Sequence, residues 1–488
     1  MSIILDYVFS GFGLAYKQGI SKGQLRSNVK YGLWCYTYNP MNPTFSNDLP
    51  IRRIIQTWWP LAASWLMMSL EGPALSAVVA RLSQPEINLA AYGGVVFPLA
   101  LIIEAPIIMM LAASTALSKD WDSYWRLRRY MMFAGLSLTV LHLLVAFTPL
   151  YYVVVRDLIG VPSEILEPAR IGLMIMTPWT FSIAYRRFNQ GVLIRFGRSQ
   201  AVGMGTVVRL STNIGVLIVG FALKTVPGIV VGACAASAGV ISEAAYAGIA
   251  VRPVIRGSLK LAPPVAQALD LRNFLDFYIP LAMTSLLLLV AQPMGSAAIS
   301  RLPMALNSLA IWPVVSGLIF IFRSFGIAYN EVVVALLDEP RSYTNLRRFT
   351  HWMAAILSLL FLAVAATPLA HFWFESISAL PSELVALGQQ SLWFALPLPA
   401  LAVWQSWLQG AILHGKHTGA ISEAVIIYMS SMAVLLFASV AWGQMVGINA
   451  ALLAMGVSMA LQTAWLWWRS RSMLRDVANR DAAMAAQA

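Results

Sequence analysis

Runs of 20 or more apolar residues, broken only by short polar segments, constrain this chain more than any other feature. A run of that length crosses the ~30 Å hydrocarbon core as a helix, in which the backbone satisfies its own hydrogen bonds. A membrane β-barrel would instead alternate apolar and polar residues. The pattern predicts twelve spans, at 54–82, 87–118, 130–155, 165–195, 199–223, 229–251, 273–302, 305–337, 350–373, 383–413, 418–442 and 447–469. Several exceed the ~20 residues a bilayer requires, which implies tilt, bending or protrusion. Charged residues make up only 11% of the chain and apolar ones 59%, whereas soluble domains carry about 25% charge. An ordinary soluble enzyme is excluded. Cys35 and Cys234 are too few for a disulfide framework or a metal cluster.

The net charge of +12 reads as topology rather than as an affinity for nucleic acid. Of 33 Lys and Arg, 24 fall on the side that holds both termini. They include loop clusters at Lys119/Arg126/Arg128/Arg129, Arg252/Arg256/Lys260 and Arg341/Arg347/Arg348, and the C-terminal Arg469, Arg471, Arg475 and Arg480. Five lie opposite, at Arg81, Arg156, Arg170, Lys224 and Arg301, and four lie inside spans. The positive-inside rule then makes both termini cytoplasmic, in a bacterial inner membrane. Trp58, Trp59, Trp465, Trp467 and Trp468 sit at span ends, as an interfacial belt would. Residues 1–50 contain Lys17, Lys22, Arg26 and Lys30 among aromatics and show no signal-peptide core or cleavage site. They read either as an interfacial amphipathic arm or as a dispensable extension before a working start near Met41.

The chain repeats itself. Pro60-Leu61-Ala62, Pro73, Ser76-Ala77 and Arg81-Leu82 recur 220 residues later as Pro280-Leu281-Ala282, Pro293, Ser296-Ala297 and Arg301-Leu302. At an offset of 219, Leu127-Arg128-Arg129 matches Leu346-Arg347-Arg348, Thr148-Pro149-Leu150 matches Thr367-Pro368-Leu369, and Gln190-Gly191 matches Gln409-Gly410. The organisation expected is an all-α polytopic membrane protein of two pseudo-symmetric six-helix lobes, 51–251 and 273–471. A cytoplasmic connector at 252–272 joins them, and a tail at 472–488 follows. Each half starts on the same side, so the axis relating them runs along the membrane normal. Two lobes around a cleft suit alternating-access transport by a monomer. A duplicated scaffold with no path is the alternative.

A charge at the bilayer centre costs at least ~2.5–3.5 kcal/mol, so intramembrane charges are functional candidates. Glu71, Glu104, Arg209, Glu243 and Arg323 lie near the middle of their spans, and Arg186 and Arg187 lie nearer one end of the fourth. Glu71 precedes Gly72-Pro73, where proline frees a carbonyl and permits a kink. Glu71, Glu104 and Glu243 are candidates for coupling to protons or Na⁺, with Arg209 as the charge partner that neutralises them. A static Glu243–Arg209 pair fixing helix register is the competing reading. Adjacent Arg186 and Arg187 point about 100° apart on a helix, so one of them is expected to face the cleft. Guanidinium binds carboxylate or phosphate bidentately, which makes Arg186, Arg187 and Arg323 candidates for binding a small anionic substrate. The halves diverge at these places: Glu104 aligns with Arg323, Glu243 with Gln462, Arg187 with Ser406 and Arg209 with Tyr428. A Glu104–Arg323 gate across the cleft is a further expectation.

Other signals are weak. His142, His351 and His371 are isolated and read as packing or interfacial residues, and His414/His417 lack a third ligand, so no metal is expected. There is no GxxxxGK[ST] motif for ATP and no Ser–His–Asp arrangement, so neither a primary pump nor an enzyme is indicated, and no cofactor beyond the coupling ion. Gly203-Met204-Gly205 lacks a strand before it and reads as close helix packing.

The duplicated six-helix plan, the Pro60…Glu71-Gly72-Pro73 first helix and Gln190-Gly191-Val192-Leu193-Ile194-Arg195-x-Gly197-Arg198-Ser199 resemble one superfamily. It is the multidrug/oligosaccharidyl-lipid/polysaccharide (MOP) superfamily, which holds the MATE exporters, the lipid-II and O-antigen flippases and the progressive ankylosis proteins. Leu89-Ala90-Ala91-Tyr92-Gly93 and Val240-Ile241-Ser242-Glu243 look most like the ankylosis branch. The resemblance covers about residues 51–475. It implies two lobes in a V, outward and inward states, and gradient-driven export, with the N-lobe acids as the cation site. The ankylosis branch implies efflux of small anions. The flippase branch would imply a polyprenyl-diphosphate-linked oligosaccharide entering between spans one and eight. The MATE branch would imply multidrug antiport. The superfamily's exporters often carry Asp in span one where this chain has Glu71.

Overall fold

Apolar runs become helices here because only a helix closes the backbone's hydrogen bonds inside the bilayer. A computed structural model describes residues 49–265, 269–337, 339–415 and 419–486; the expected N-terminal arm (1–48) and His417 lie outside the described residues. Twelve long helical segments follow one another: α1 Ile51–Val79, α2 Pro85–Leu117, α3 Trp121–Phe147, α4 Ser163–Ile175 with Thr177–Arg195, α5 Ser199–Leu223, and α6 Gly228–Leu259. The second half runs α7 Leu271–Ile299, α8 Ala305–Leu336, α9 Ser342–Ala366, α10 Ser382–His414, α11 Gly419–Trp442 and α12 Gly447–Ala486. Among the described residues, eleven are long and apolar enough to cross a membrane. The exception is α4, which carries Glu164, Glu167, Arg170, Arg186 and Arg187. The protein is an all-α integral membrane protein.

Several helices outrun the sequence expectation. The helix α3 starts at Trp121 because Asp120 Oδ1 accepts the amide of Ser123 at 2.9 Å, a side-chain N-cap. Arg126, Arg128 and Arg129, expected in a loop, therefore ride the first turns of that helix. The expected connector at 252–272 begins as helix: α6 continues through Pro253 by widening to π-helical turns over Ile255–Leu259. The expected tail at 472–488 is likewise helical to Ala486. These extensions carry basic and small side chains suited to water beyond the bilayer, so hydropathy is blind to them.

The repeat is written into the backbone. Left-handed residues recur at Gln84 (φ 49°) and Met304 (φ 56°), at Gly160 (77°) and Ala379 (52°), and at Lys224 (55°) and Gly443 (67°), always 219 or 220 apart. Four of the six are not glycine, so each accepts a local steric cost for the same turn.

The lobes clasp each other twice on each face, in matched pairs. Trp58 Nε1 of α1 donates to Phe325 O of α8 at 3.0 Å. Tyr278 Oη of α7 donates to Pro106 O of α2 at 2.5 Å. On the face opposite the connector, Arg81 donates to Ile377 O (2.8 Å) and Ser376 O (2.7 Å). Arg301 returns the contact to Ile159 O and Leu158 O, both at 2.6 Å. The acceptors end two π-helical turns, Val153–Ile159 and Phe372–Ile377, whose exposed carbonyls attract a cation. Gly93 of α2 lies against Pro313 of α8 across the lobe boundary; a Cβ at Gly93 would sit 2.5 Å from Pro313 Cγ.

Candidate functional site

Between the lobes lies a cavity of about 450 Å³. All seven intramembrane charges singled out from the sequence line it: Glu71, Glu104, Arg186, Arg187, Arg209, Glu243 and Arg323. Six come from the N-terminal lobe. The C-terminal lobe supplies Arg323, with apolar and small residues of α8.

The bend in α1 falls at Leu70, between Ile51–Ser69 and a second helix that begins at Glu71, as Gly72-Pro73 predicted. That bend sets Glu71 at a helix start facing α5, where Arg209 Nη2 meets its carboxylate at 2.8 Å and Asn213 Nδ2 donates to it at 3.0 Å. Arg209 and Asn213 are four apart, one above the other on one helical face. The same device recurs on α4. Arg186 pairs with Glu243 of α6 and Gln190 donates to the other carboxylate oxygen at 3.0 Å. Arg209 Nε stands 3.7 Å from Glu243, so one guanidinium is shared between two acids.

The pairing differs from the sequence expectation in two respects. Glu243 is held chiefly by Arg186, with Arg209 the more distant partner; only the packed helices reveal which Arg reaches it. Arg186 and Arg187 both border the cavity, rather than one of them. Arg186, 5% exposed, turns its head into Glu243. Arg187 makes no hydrogen bond or ion pair among the described residues, and its Nε is buried without a partner. Glu104, 3% exposed, accepts a hydrogen bond from Trp179 Nε1 of its own lobe. That bond engages Glu104 within the N-terminal lobe.

Trp179 has no part in the sequence reading, Gln190 enters it only through the repeat and the superfamily motif, and Asn213 not at all. The last two were readable as amides one turn beyond Arg186 and Arg209. His142 is fully buried, with its ring nitrogens 2.8 Å from Thr180 Oγ1 and 3.0 Å from Leu173 O, and it packs as expected. Among the described residues no group of three His, Cys, Asp or Glu converges as a metal site would.

No protein-family model matches the chain, and no curated protein matches it either. Solved structures do. An inward-facing MATE-family multidrug resistance transporter of the MOP superfamily superposes with a TM-score of 0.65, at 14% identity, over 86% of this chain and 99% of that one. The lipid II flippase MurJ, in an inward closed conformation, gives 0.62 at 15% identity over 87% and 91%. A MOP-superfamily transporter from Pyrococcus furiosus gives 0.57 at 17% identity over 88% and 97%. The chain has the MOP transporter fold. An outward-facing MATE structure also matches, with a TM-score of 0.54, so the MOP fold seen here is one with solved inward and outward forms.

Proposed function

We propose that this protein is a secondary active transporter. It exports small organic or phosphorylated anions by alternating access, driven by a proton or sodium gradient across a bacterial inner membrane, with both termini cytoplasmic. One observation carries the reading: the seven charges singled out near the middle of the spans or on the fourth helix converge on a single cavity between two lobes. Placing seven charges within membrane-spanning helices, three of them buried, is too costly to serve packing alone. Arg187, with Arg186 and Arg323, contacts the substrate. Glu71, Glu104 and Glu243 form the coupling cluster. Neutralising one acid forces the shared Arg209 to re-pair. Because Glu71 sits at the bend of α1, that re-pairing acts on a helix whose Trp58 touches the other lobe. The likeness to the ankylosis branch supports an anionic cargo.

The MurJ superposition favours a second reading, flipping of a lipid-linked diphosphate. Lateral entry between α1 and α8 would then require that seam to open. Here Ala62 and Trp65 pack on Ile327 and Ala328, and the Trp58 bond closes it further. Multidrug efflux, by contrast, fits a less basic cavity.

Sealed vesicles containing the purified protein test all three, with radiolabelled citrate and pyrophosphate, a fluorescent lipid-diphosphate analogue and a cationic dye. Gradient-dependent movement of an anion is expected. Movement of none of the probes overturns the transport reading. Flux that persists unchanged in Glu71→Gln removes that acid from coupling.

A further inference from the structure

We propose that the cargo of this cavity is an amphipathic monoanion: a planar apolar body carrying one carboxylate or sulfonate, its head on Arg187 and its body in an aromatic slot. The inference rests on the transport reading above and narrows it.

The cavity's charges do not all remain available. Arg186 is taken by Glu243 and Arg209 by Glu71, whereas Arg187 makes no ion pair or hydrogen bond to an acid among the described residues; like the other two it keeps a buried Nε without an acceptor. Four arginines against three glutamates leave a formal excess of one positive charge around the site. A monoanion balances it. A compact polyanion such as citrate or pyrophosphate would carry further charges out of water with nothing to pair them, at several kcal/mol each.

The walls point the same way. Tyr92, Phe97 and Trp179 form one continuous aromatic face: Tyr92 stacks on Phe97 at 6.0 Å and Phe97 meets Trp179 edge-on at 6.4 Å. The Glu104 bond fixes the Trp179 ring. Trp312 and Phe320 line the cavity from the other lobe. Aromatic faces bind flat apolar bodies and do little for a small hydrophilic ion. A cavity near 450 Å³ also lies in the range that holds drug-sized ligands, about 300–1,000 Å³.

The test uses the full chain in liposomes, with counterflow of radiolabelled 1-naphthoate, citrate, pyrophosphate and 1-naphthylmethylammonium. Saturable 1-naphthoate transport at least ~10-fold above the other three is expected, a preference worth about 1.4 kcal/mol. Arg187→Gln should lose most of it, Arg187→Lys should recover part, and Trp312→Ala should raise the apparent KM with folding intact by size-exclusion chromatography. If citrate or pyrophosphate is carried and 1-naphthoate is not, the monoanion assignment fails while anion transport stands. If the naphthyl cation is preferred, both fail, and if no probe moves the transport reading falls and takes this one with it. Equal 1-naphthoate flux in wild type and Arg187→Gln removes Arg187 as the anchor.

Discussion

In the N-terminal lobe, Arg186 and Gln190 of α4 reach Glu243 of α6. At the positions 219 residues on, Gln405 of α10 reaches Gln462 of α12 through an amide hydrogen bond of 3.0 Å. The two contacts join equivalent helices at equivalent heights, and both are buried, yet one is ionic and the other neutral. Packing of these helices therefore needs a polar contact but not a charge. The neutral version does not line the cavity; the charged version does. Charge is placed where the contact borders the cavity and left out where it only joins packed helices. This argues against a merely structural role for the Arg186–Glu243 pair.

Converting one lobe's chemistry into the other's is the strongest way to break this comparison. Glu243→Gln leaves Arg186 buried without its counter-charge and should cost about 3–5 kcal/mol of stability, read as a lower Tm in detergent. Arg186→Gln combined with Glu243→Gln copies the C-terminal lobe and should recover most of that stability, because Gln–Gln packs well at the equivalent site. Transport should be lost in both. A double variant as unstable as the single one would show that the two contacts are not equivalent.

The shared arginine sharpens the comparison further, since Tyr428 stands where the N-terminal lobe has Arg209. Glu71→Gln keeps an acceptor for Asn213 but removes one of the two acids that Arg209 serves. Gradient-driven flux should fall at least ~10-fold, equivalent to about 1.4 kcal/mol. Substrate-induced protection of the folded protein, measured by thermal shift, should persist. Loss of both together would make Glu71 a binding residue instead.

Where the lobes agree, they should respond alike. Arg81 and Arg301 form mirror contacts to carbonyls of the opposite lobe. Charge-assisted hydrogen bonds of this kind contribute about 1.5–3 kcal/mol each when buried, and less here, where both arginines are exposed. Arg81→Ala and Arg301→Ala should each shift the lobes apart on that face, by a similar few-fold change in population. Spin labels at Thr225 and Gln444, equivalent exposed positions of the two lobes, report the distance in a background lacking Cys35 and Cys234. A shift in only one variant would break the reciprocity.

Much of this was legible in sequence for a simple reason: a charge in an apolar run is expensive and stands out. The seven charged residues and the 219–220 offset needed no structure, and the kink at Glu71-Gly72-Pro73 fell where proline allows it. Partner choice was not legible. Arg186 and Arg187 are neighbours in sequence, and only the packing of α4 on α6 decides which one meets Glu243. That Gln190 and Asn213 serve carboxylates was not legible, because an amide in a span costs too little to mark it as a partner of a charge. Helix ends were missed where they leave the bilayer, since α3, α6 and α12 continue on polar residues that hydropathy does not register.

The smallest expected effect concerns how each lobe starts its third helix. In the N-terminal lobe Asp120 caps α3 and also accepts the connector amide of Val265 at 3.0 Å. In the C-terminal lobe that duty passes to Asp481, far along α12, which accepts the amide of Tyr343 at 2.9 Å. Burial pushes the Asp120 carboxyl upward, but its hydrogen bonds to Ser123 and Val265 outweigh burial and hold it below the usual carboxylate range. A carboxyl depressed in the folded state stabilises above its unfolded pKa, ~3.9, and that stabilisation drains away as pH falls through the folded value. Asp120→Ala should therefore cost about 1 kcal/mol at pH 7, with the difference from wild type shrinking toward pH 3. Asp120→Asn still caps through its single amide oxygen but gives up the acceptor for Val265 and cannot titrate, so its Tm at neutral pH should fall by less than that of Asp120→Ala while the acid-dependent difference disappears. An Asn variant that declines with acid in parallel with wild type would mean that the cap is not the titrating element.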